Sequence, residues 1–466
     1  MLERQRQGLE ISYVQVDDTA VQIMHLSDNK TGPLVLVAHG YAGSQQMMQP
    51  IAMALARSGF VVGTYDFHGH GRNPRIMSGD ITSIKGTTAR LVEQTIALGS
   101  GLRNLPWTSN RISLVGHSMA TDVVIRAAVG LKNVDAVVAI SMYSNAVIAD
   151  DPKALLIISG EREQRLREVA IEKLHQVDPN AKEGETVRSD TVARRAVTAP
   201  NMGHVGVLYS QTTLNEIRDW IAQQTNQSAK GVFPNTIPWL FVLLASVVAL
   251  AWPLTGFLGP AVLINCPKGR QAIAALALPI APALAAAYAM PEDVLGLSAF
   301  GTLTAFLASW GIVQVVVLWR SGWRPHPISG LGMVFVLFWG LCLFAPALDR
   351  YGAAFIPTGD RVAVMLLLTV GTLPFCLADA ALTNGTTWVT WLGTRLLPIA
   401  GLLLAMLMTP RLGIAFTVLP VLIFFWTVYG LVGRWVATRV GPTTSGIGLG
   451  IILAWAIAAS TPMIAV

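Results

Sequence analysis

Five consecutive residues carry the strongest chemical signal in this chain: Gly116-His117-Ser118-Met119-Ala120. They follow an apolar, strand-like run, Arg111–Val115, and precede a helix-like run, Thr121–Val129. A serine set between small residues at a strand-to-helix turn is lifted out of the backbone, with the next N–H groups aimed at the same space. Gly116 and Ala120 leave the room this turn needs, with alanine standing where glycine is usual. The chemistry favoured is attack by a hydroxyl, which is a poor nucleophile without a base in hydrogen-bond reach. His204 is the last of seven histidines in the first half; it follows the strand-like run Ala193–Ala199 and precedes the amphipathic stretch Val205–Gln224. A histidine there can reach over a sheet toward Ser118.

The elements that must hold these residues alternate in type. Ile11–Val16 and Val21–Leu26 read as an antiparallel hairpin, and Pro33–Ala38 and Phe60–Tyr65 as continuous apolar strands buried on both faces. Val134–Ser141, Ala154–Ser159 and Ala193–Ala199 complete the strand set, with helices predicted at Gln45–Arg57, Thr87–Leu102, Arg165–His175 and Val205–Gln224. Strands alternating with helices predict an α/β domain with a mostly parallel sheet. Ligands of such sheets sit beyond the carboxyl ends of the strands.

Four segments in this order resemble the α/β-hydrolase family over roughly residues 10–224: Ala38-His39-Gly40-Tyr41-Ala42-Gly43-Ser44, Asp66-Phe67-His68-Gly69-His70-Gly71-Arg72, the turn at Ser118, and Asn201-Met202-Gly203-His204. The resemblance implies helices on both sheet faces and a nucleophile–acid–histidine chain order. It assigns Ser118 as nucleophile and His204 as base. The acid position, after the strand ending Ile157-Ile158-Ser159-Gly160, matches Glu163, with Glu161 as runner-up; a glutamate can orient the imidazole and stabilise the imidazolium. The bland alternative is that both belong to the solvated run Glu161–Glu168. The oxyanion hole is expected from the backbone N–H groups of Met119 and Tyr41. His39, His68 and His70 are read as loop-holding residues, and His117 as pointing away from the reaction.

Composition divides the chain. Of its 466 residues, 53% are hydrophobic and 13% charged, too apolar for a wholly soluble protein. Residues 1–230 hold 23 Lys/Arg and 22 Asp/Glu, a net of +1; residues 231–466 hold 10 and 5, a net of +5. We read residues 1–230 as the catalytic domain and 231–466 as a polytopic transmembrane domain. Eight apolar runs suit spans of roughly 20 residues: Ile237–Leu258, Gln271–Met290, Leu295–Trp319, Ser329–Leu348, Val362–Ala378, Leu392–Thr409, Gly413–Gly433 and Ser445–Val466. Prolines and glycines within Ile237–Asn265 leave open a re-entrant piece there. Asp379 and Arg395 fall at span edges and are read as interfacial.

Sidedness is pulled two ways. Lys268, Arg270, Arg320, Arg324, Arg395, Arg434 and Arg439 flank connections after odd-numbered spans, which by the positive-inside rule puts the N-terminal domain outside. A folded domain whose first residues, Met1–Arg6, lead into no apolar segment is hard to translocate, and we expect it cytoplasmic on an inner-membrane anchor.

Other chemistries lack their signatures. The sequence contains neither a phosphate-binding Walker loop nor a HExxH zinc motif, and Gly69-His70-Gly71 lacks dinucleotide spacing, so no cofactor and no metal are expected. The three cysteines, Cys266, Cys342 and Cys376, form no disulfide framework, and no basic patch suits nucleic acid. The expected function is hydrolysis of an acyl ester or thioester of a lipid-like substrate, with the bilayer as partner and the oligomeric state unread. A transacylase with a membrane acceptor, and a non-enzymatic sensor or scaffold, are the alternatives.

Overall fold

A computed structural model of the chain describes residues 1–28, 31–228, 231, 233, 235–264, 269–291 and 293–466. The expected domain boundary at Lys230, and Cys266 and Lys268, lie outside the described residues. The chain divides into two compact units: Met1–Phe241 with Tyr351–Ala354, and Val242–Arg350 with Phe355–Val466.

The first unit is built on a nine-stranded sheet in the order β1-β2-β4-β3-β5-β6-β7-β9-β8. Its strands are β1 (Leu9–Val16), β2 (Thr19–Leu26), β3 (Gly32–Ala38), β4 (Val61–Tyr65), β5 (Thr108–His117), β6 (Val134–Ile140), β7 (Ala154–Gly160), β8 (Thr186–Arg188) and β9 (Ala193–Ala199). From β4 across to β9 the pairing is parallel, flanked by the antiparallel β1–β2 ribbon and by antiparallel β8. The edge strand β8 has no counterpart among the predicted strands. Its sequence, Thr186-Val187-Arg188, is too short and polar to show a period.

The continuous apolar runs are explained by burial on both faces. Leu34, Leu36, Leu114, Val137, Leu155 and Ile157 pack on one side with α2 (Ala89–Leu102), α3 (Met119–Gly130) and α4 (Gln164–His175). Their chain neighbours Val35, Val37, Val115, Val138, Leu156 and Ile158 pack on the other, with α1 (Gln49–Arg57) and α5 (Gln211–Thr225). A one-residue slip of any central strand would exchange the two sets against different helices.

Among the described residues, eight helical stretches are long and apolar enough to cross a membrane: Thr236–Leu258, Arg270–Ala289, Phe300–Arg320, Gly330–Tyr351, Arg361–Thr383, Trp388–Met408, Val418–Val440 and Pro442–Ser460, all but Thr236–Phe241 and Tyr351 lying in the second unit. Of these, α9 (Phe300–Arg320), α12 (Arg361–Thr383), α13 (Trp388–Met408), α14 (Val418–Val440) and α15 (Pro442–Ser460) are unbroken helices; the first stretch is helix α6 (Thr236–Leu254) closed by a 3-10 turn. Arg270–Ala289 comprises α7 (Arg270–Ala277) and α8 (Ile280–Ala289), and Gly330–Tyr351 comprises α10 (Gly330–Leu337), a π turn and α11 (Ala345–Tyr351). Within Ile237–Asn265, where a re-entrant piece was left open, helix and 3-10 turn reach Leu258, residues 259–264 are not helical, and Asn265 lies outside the described residues.

Small residues set the closest helix approaches. A Cβ at Gly311 of α9 would sit 2.2 Å from Phe375 N of α12, and one at Gly371 of α12 would sit 2.6 Å from Thr304 O of α9. On α15, Gly446 and Gly450 meet the α12 backbone at Leu377 and Leu373 at 2.7 and 2.8 Å in the same sense. This is the small-residue packing that brings apolar helices together where lipid competes for their side chains.

The helices that carry Asp379 and Arg395 extend past the apolar runs read from the sequence. α12 runs on to Thr383 and α13 begins at Trp388, so neither residue ends its helix. Both are buried among the helices, at 5% and 9% exposure.

Candidate active site

The turn after β5 is as tight as its small residues imply. Ser118 has φ 54° and ψ −119°, a strained conformation for a residue with a side chain. A Cβ at Gly116 would lie 2.6 Å from Ala120 O and 2.8 Å from Val124 Cγ2, so the turn closes only over glycine. Ser118 N–H donates to Ile140 O at 2.9 Å, tying the turn to the end of β6. Ser118 immediately precedes α3, whose first N–H groups carry the positive end of the helix dipole.

His204 comes to Ser118 from beyond β9. Its Nε2 lies 2.9 Å from Ser118 Oγ, and its Nδ1 lies 2.6 Å from Glu163 Oε1. With Glu163 ionised, Nδ1–H donates to the carboxylate and Nε2 accepts the serine proton. Glu163 is held from three sides: its Oε2 accepts Gly160 N–H at 2.6 Å and Ser141 O–H at 2.7 Å. Burial pushes the Glu163 carboxyl up, but the hydrogen bonds from His204, Gly160 N–H and Ser141 outweigh it and hold the group below its ordinary value. The Glu163 side chain is 6% exposed and that of His204 48%, so the pair opens to solvent through the imidazole.

Glu161, two residues earlier, faces away. Its Oε2 accepts Asn201 N–H at 2.6 Å, and the residue is exposed. The loops carrying Glu163 and His204 are stitched together along their backbones, with Glu161 N–H to Ala199 O and Arg162 N–H to Met202 O, both 3.0 Å. Gly160 is required here, since a Cβ would meet Met202 O at 2.6 Å.

The loop after β3 packs against the serine. A Cβ at Gly40 would lie 3.0 Å from Ser118 Cβ and 3.1 Å from His117 O, so the backbone entering Tyr41 runs directly beside the turn. Gly40 O accepts Gly43 N–H at 2.9 Å and His39 Nδ1–H at 2.7 Å. His39 Nε2 in turn accepts Phe67 N–H at 3.1 Å, which fixes the tautomer. Burial lowers the His39 pKa, against the pull of Asp66, and keeps the ring neutral. Asp66 anchors both loops: Oδ1 accepts Gln45 N–H at 2.7 Å and Oδ2 accepts Arg72 N–H at 2.9 Å. His70 packs its ring 5.6 Å from that of Tyr41 and 5.2 Å from His39. His68 instead lines a cavity of about 780 Å³ beside the β1–β2 hairpin, with Asp17, Asp18, Arg75, Arg90 and Glu93, apart from Ser118.

Two participants escaped the sequence reading. His117 does not point away: its Nε2 donates to His204 O at 2.8 Å, and the two rings lie 4.9 Å apart. Ser141 closes the carboxylate's hydrogen-bond set from the end of β6. Strand order held the clue, because β6 lies between β5 and β7 and its carboxyl end must sit between Ser118 and Gly160.

Sheet order, turn and loops define the class of fold: the N-terminal half has an α/β-hydrolase-like fold. The family model of the serine aminopeptidases, S33, matches residues 29–231. Among solved structures, the chain is similar to a dienelactone hydrolase from Anabaena variabilis, at 16% identity and a TM-score of 0.37, covering 47% of this chain and 99% of that one. It is also similar to Est1E from Butyrivibrio proteoclasticus with ferulic acid bound, at 14% identity and a TM-score of 0.34 over 47% and 100%. A third is a bacterial membrane phospholipase A described as a virulence factor, at 16% identity and a TM-score of 0.35 over 48% and 89%. No curated protein matches the chain.

Proposed function

We propose that this protein is a membrane-integral serine hydrolase that cleaves acyl esters or thioesters, with residues 1–230 catalytic and 231–466 embedded in the bilayer. One observation carries the reading: Glu163, His204 and Ser118 form an unbroken hydrogen-bonded relay of 2.6 and 2.9 Å that ends on a serine in a strained turn. This is the arrangement that activates a hydroxyl.

The reaction follows from the atoms. Ser118 Oγ attacks the acyl carbonyl carbon while its proton passes to His204 Nε2. Glu163 holds the imidazole and stabilises the imidazolium. The N–H groups of Met119 and Tyr41 stabilise the oxyanion. The tetrahedral species collapses, the bond to the leaving oxygen or sulfur breaks, and Nε2–H gives that atom its proton. Water then donates a proton to Nε2 as its oxygen attacks the acyl-enzyme. Collapse frees Ser118 and a carboxylic acid.

Two features favour a lipid-like acyl group. Only residues 141–153 separate β6 and β7, too few for a cap domain over the site. Among the described residues, eight helical stretches long and apolar enough to cross a membrane favour a chain held at a bilayer, where amphiphilic esters concentrate. We place the catalytic domain on the cytoplasmic side of the inner membrane. The family model is that of aminopeptidases, so an amide is the competing substrate class.

The test is labelling of the full chain by a fluorophosphonate probe in inside-out and right-side-out vesicles. Wild type labels and Ser118→Ala does not, and turnover falls by about 10⁶-fold. Labelling that survives Ser118→Ala ends the reading. Parallel turnover of matched ester, thioester and N-terminal amide substrates, with and without an acyl acceptor, decides substrate class and separates hydrolase from transacylase.

A further inference from the structure

The second unit contains a charged pair with no structural explanation in its hydrogen bonds. Arg395 Nε lies 3.6 Å from Asp379 Oδ1, an ion pair beyond hydrogen-bond distance. Neither atom has a hydrogen-bond partner among the described residues, and the side chains of Arg395 and Asp379 are 11% and 8% exposed. Three helices meet at this point. α12 supplies Asp379. α13 supplies Arg395 and, one turn earlier, Trp391, whose ring centre is 4.7 Å from the guanidinium carbon. α14 supplies Trp426, 5.8 Å from the same carbon, and Gly430, where a Cβ would sit 3.1 Å from Arg395 Nη2. Trp426 Nε1–H is a further buried donor with no partner among the described residues.

A buried arginine elsewhere in the bundle is treated differently. Arg361 Nη1 donates to Ala458 O at 2.7 Å and Thr461 O at 2.8 Å, capping the carbonyls at the end of α15. That cation has an evident structural use. Arg395 is instead flanked by aromatic faces, with its Nε–H lacking a partner among the described residues and the Asp379 carboxylate standing 3.6 Å away. Leaving buried donors unmade is costly, and ionisable groups inside apolar bundles mark functional positions.

Depth adds a constraint. Asp379 precedes the end of α12 by four residues and Arg395 follows the start of α13 by seven. At 1.5 Å per residue both lie about 6–10 Å inside the same end of the bundle. This is the depth at which the head of a lipid can reach a side chain on a spanning helix.

We propose that Arg395, with Asp379 as its resident counter-ion, binds the anionic oxygen head of a single membrane lipid. The head, a carboxylate or a phosphate, would accept the Arg395 donors in the bidentate geometry a guanidinium favours. Asp379 neutralises the cation when the site is empty and yields when it is filled. This inference stands on the second unit alone and does not depend on the hydrolase reading.

The experiment uses the full chain purified in neutral detergent, with oleate and phosphatidylglycerol as separate probes, and counts bound lipid by native mass spectrometry. Wild type retains one oleate or one phosphatidylglycerol, and whichever is held more tightly identifies the source of the anion. Arg395→Gln lowers retention by about tenfold or more, and Arg395→Lys, which keeps the charge and loses the fork, lowers it severalfold. Asp379→Asn raises retention, because it removes the competing counter-ion; a pair that only locks α12 to α13 predicts no such gain. Should Arg395→Gln misfold by size exclusion, the opposed effects of Arg395→Lys and Asp379→Asn still decide. Retention unchanged by Arg395→Lys, or lowered by Asp379→Asn, overturns the proposal.

Discussion

Glu163 and Asp379 are both buried carboxylates beside a nitrogen base, and they are held in different ways. Glu163 receives three hydrogen bonds, from Gly160 N–H, Ser141 O–H and His204 Nδ1–H. Asp379 faces Arg395 at 3.6 Å with its Oδ1 unbonded among the described residues. The first pair is saturated, so its geometry is fixed before any substrate arrives; preorganisation of this kind is what a catalytic base needs. The second is electrically compensated and geometrically open. A saturated pair resists rearrangement, whereas an open pair can exchange its partner.

The largest expected effect breaks the first pair. Glu163→Gln keeps the shape of the side chain but cannot hold the His204 tautomer, and turnover should fall by about 10⁴-fold. Glu161→Gln, which loses only a surface contact to Asn201 N–H, should change turnover by less than about twofold. Steady-state kinetics of both variants on one ester checks the contrast. If Glu161→Gln is the damaging change, the acid assignment is wrong.

Breaking the second pair should read out in stability. Arg395→Met strands Asp379 as an uncompensated buried charge, at an expected cost of about 3–5 kcal/mol. The double variant Asp379→Leu/Arg395→Met removes both charges and should be neutral or more stable than wild type by about 1–4 kcal/mol. Thermal unfolding of the three proteins in one detergent tests this. Equal destabilisation of the single and double variants would mean the pair is a tight lock despite its loose geometry.

A smaller effect tests the loop beside the serine. Gly40→Ala places a methyl group 3.0 Å from Ser118 Cβ and 3.1 Å from His117 O, neither of which can swing aside. The loop carrying Tyr41 must then move. Loss of one oxyanion donor typically costs about 10²–10³ in rate, and the fall should appear in kcat rather than KM. A change confined to KM would place Tyr41 in substrate binding instead.

What could be read without coordinates follows the same divide. Elements set by local pattern were legible: buried parallel strands announce themselves as apolar runs, spans as apolar stretches, and the turn at Ser118 by its small neighbours. His204 could be placed because chain order restricts which loop reaches the nucleophile. Partners set by strand adjacency were not legible. Ser141 lies 22 residues from Glu163 and His117 lies 87 from His204, and nothing local marks either. The burial of Asp379 and Arg395 among helices was not legible either, because hydropathy shows how apolar a segment is and not which of its faces meets another helix. Nor does it show that a helix continues past its apolar run.

The last prediction concerns His117, whose Nε2–H holds the His204 carbonyl. Burial lowers its pKa to about 4, against the stabilising bond to His204 O, and the nearby His204 adds to the lowering. A neutral imidazole is what the site needs, since Nε2–H must donate to that carbonyl without placing a second positive charge beside the imidazolium. The unfolded chain binds a proton here below 6.5, while the folded chain stays neutral until about 4. Stability therefore falls as pH drops from 6.5 toward 4, by about 3 kcal/mol at the end of that window. Glu163 adds slope only below about 4.5: its pKa is lowered from 4.5, so its stabilisation is present above that value and is lost as pH falls through the lower folded value. His117→Gln keeps a donor for His204 O and cannot titrate. At pH 7 the variant should be less stable than wild type, and the gap should narrow steadily as the pH falls to 4.5, read as the difference in unfolding midpoints. A gap that stays constant would mean that His117 is protonated in the folded protein, and that the loop carrying His204 is steadied by a charge rather than by a neutral donor.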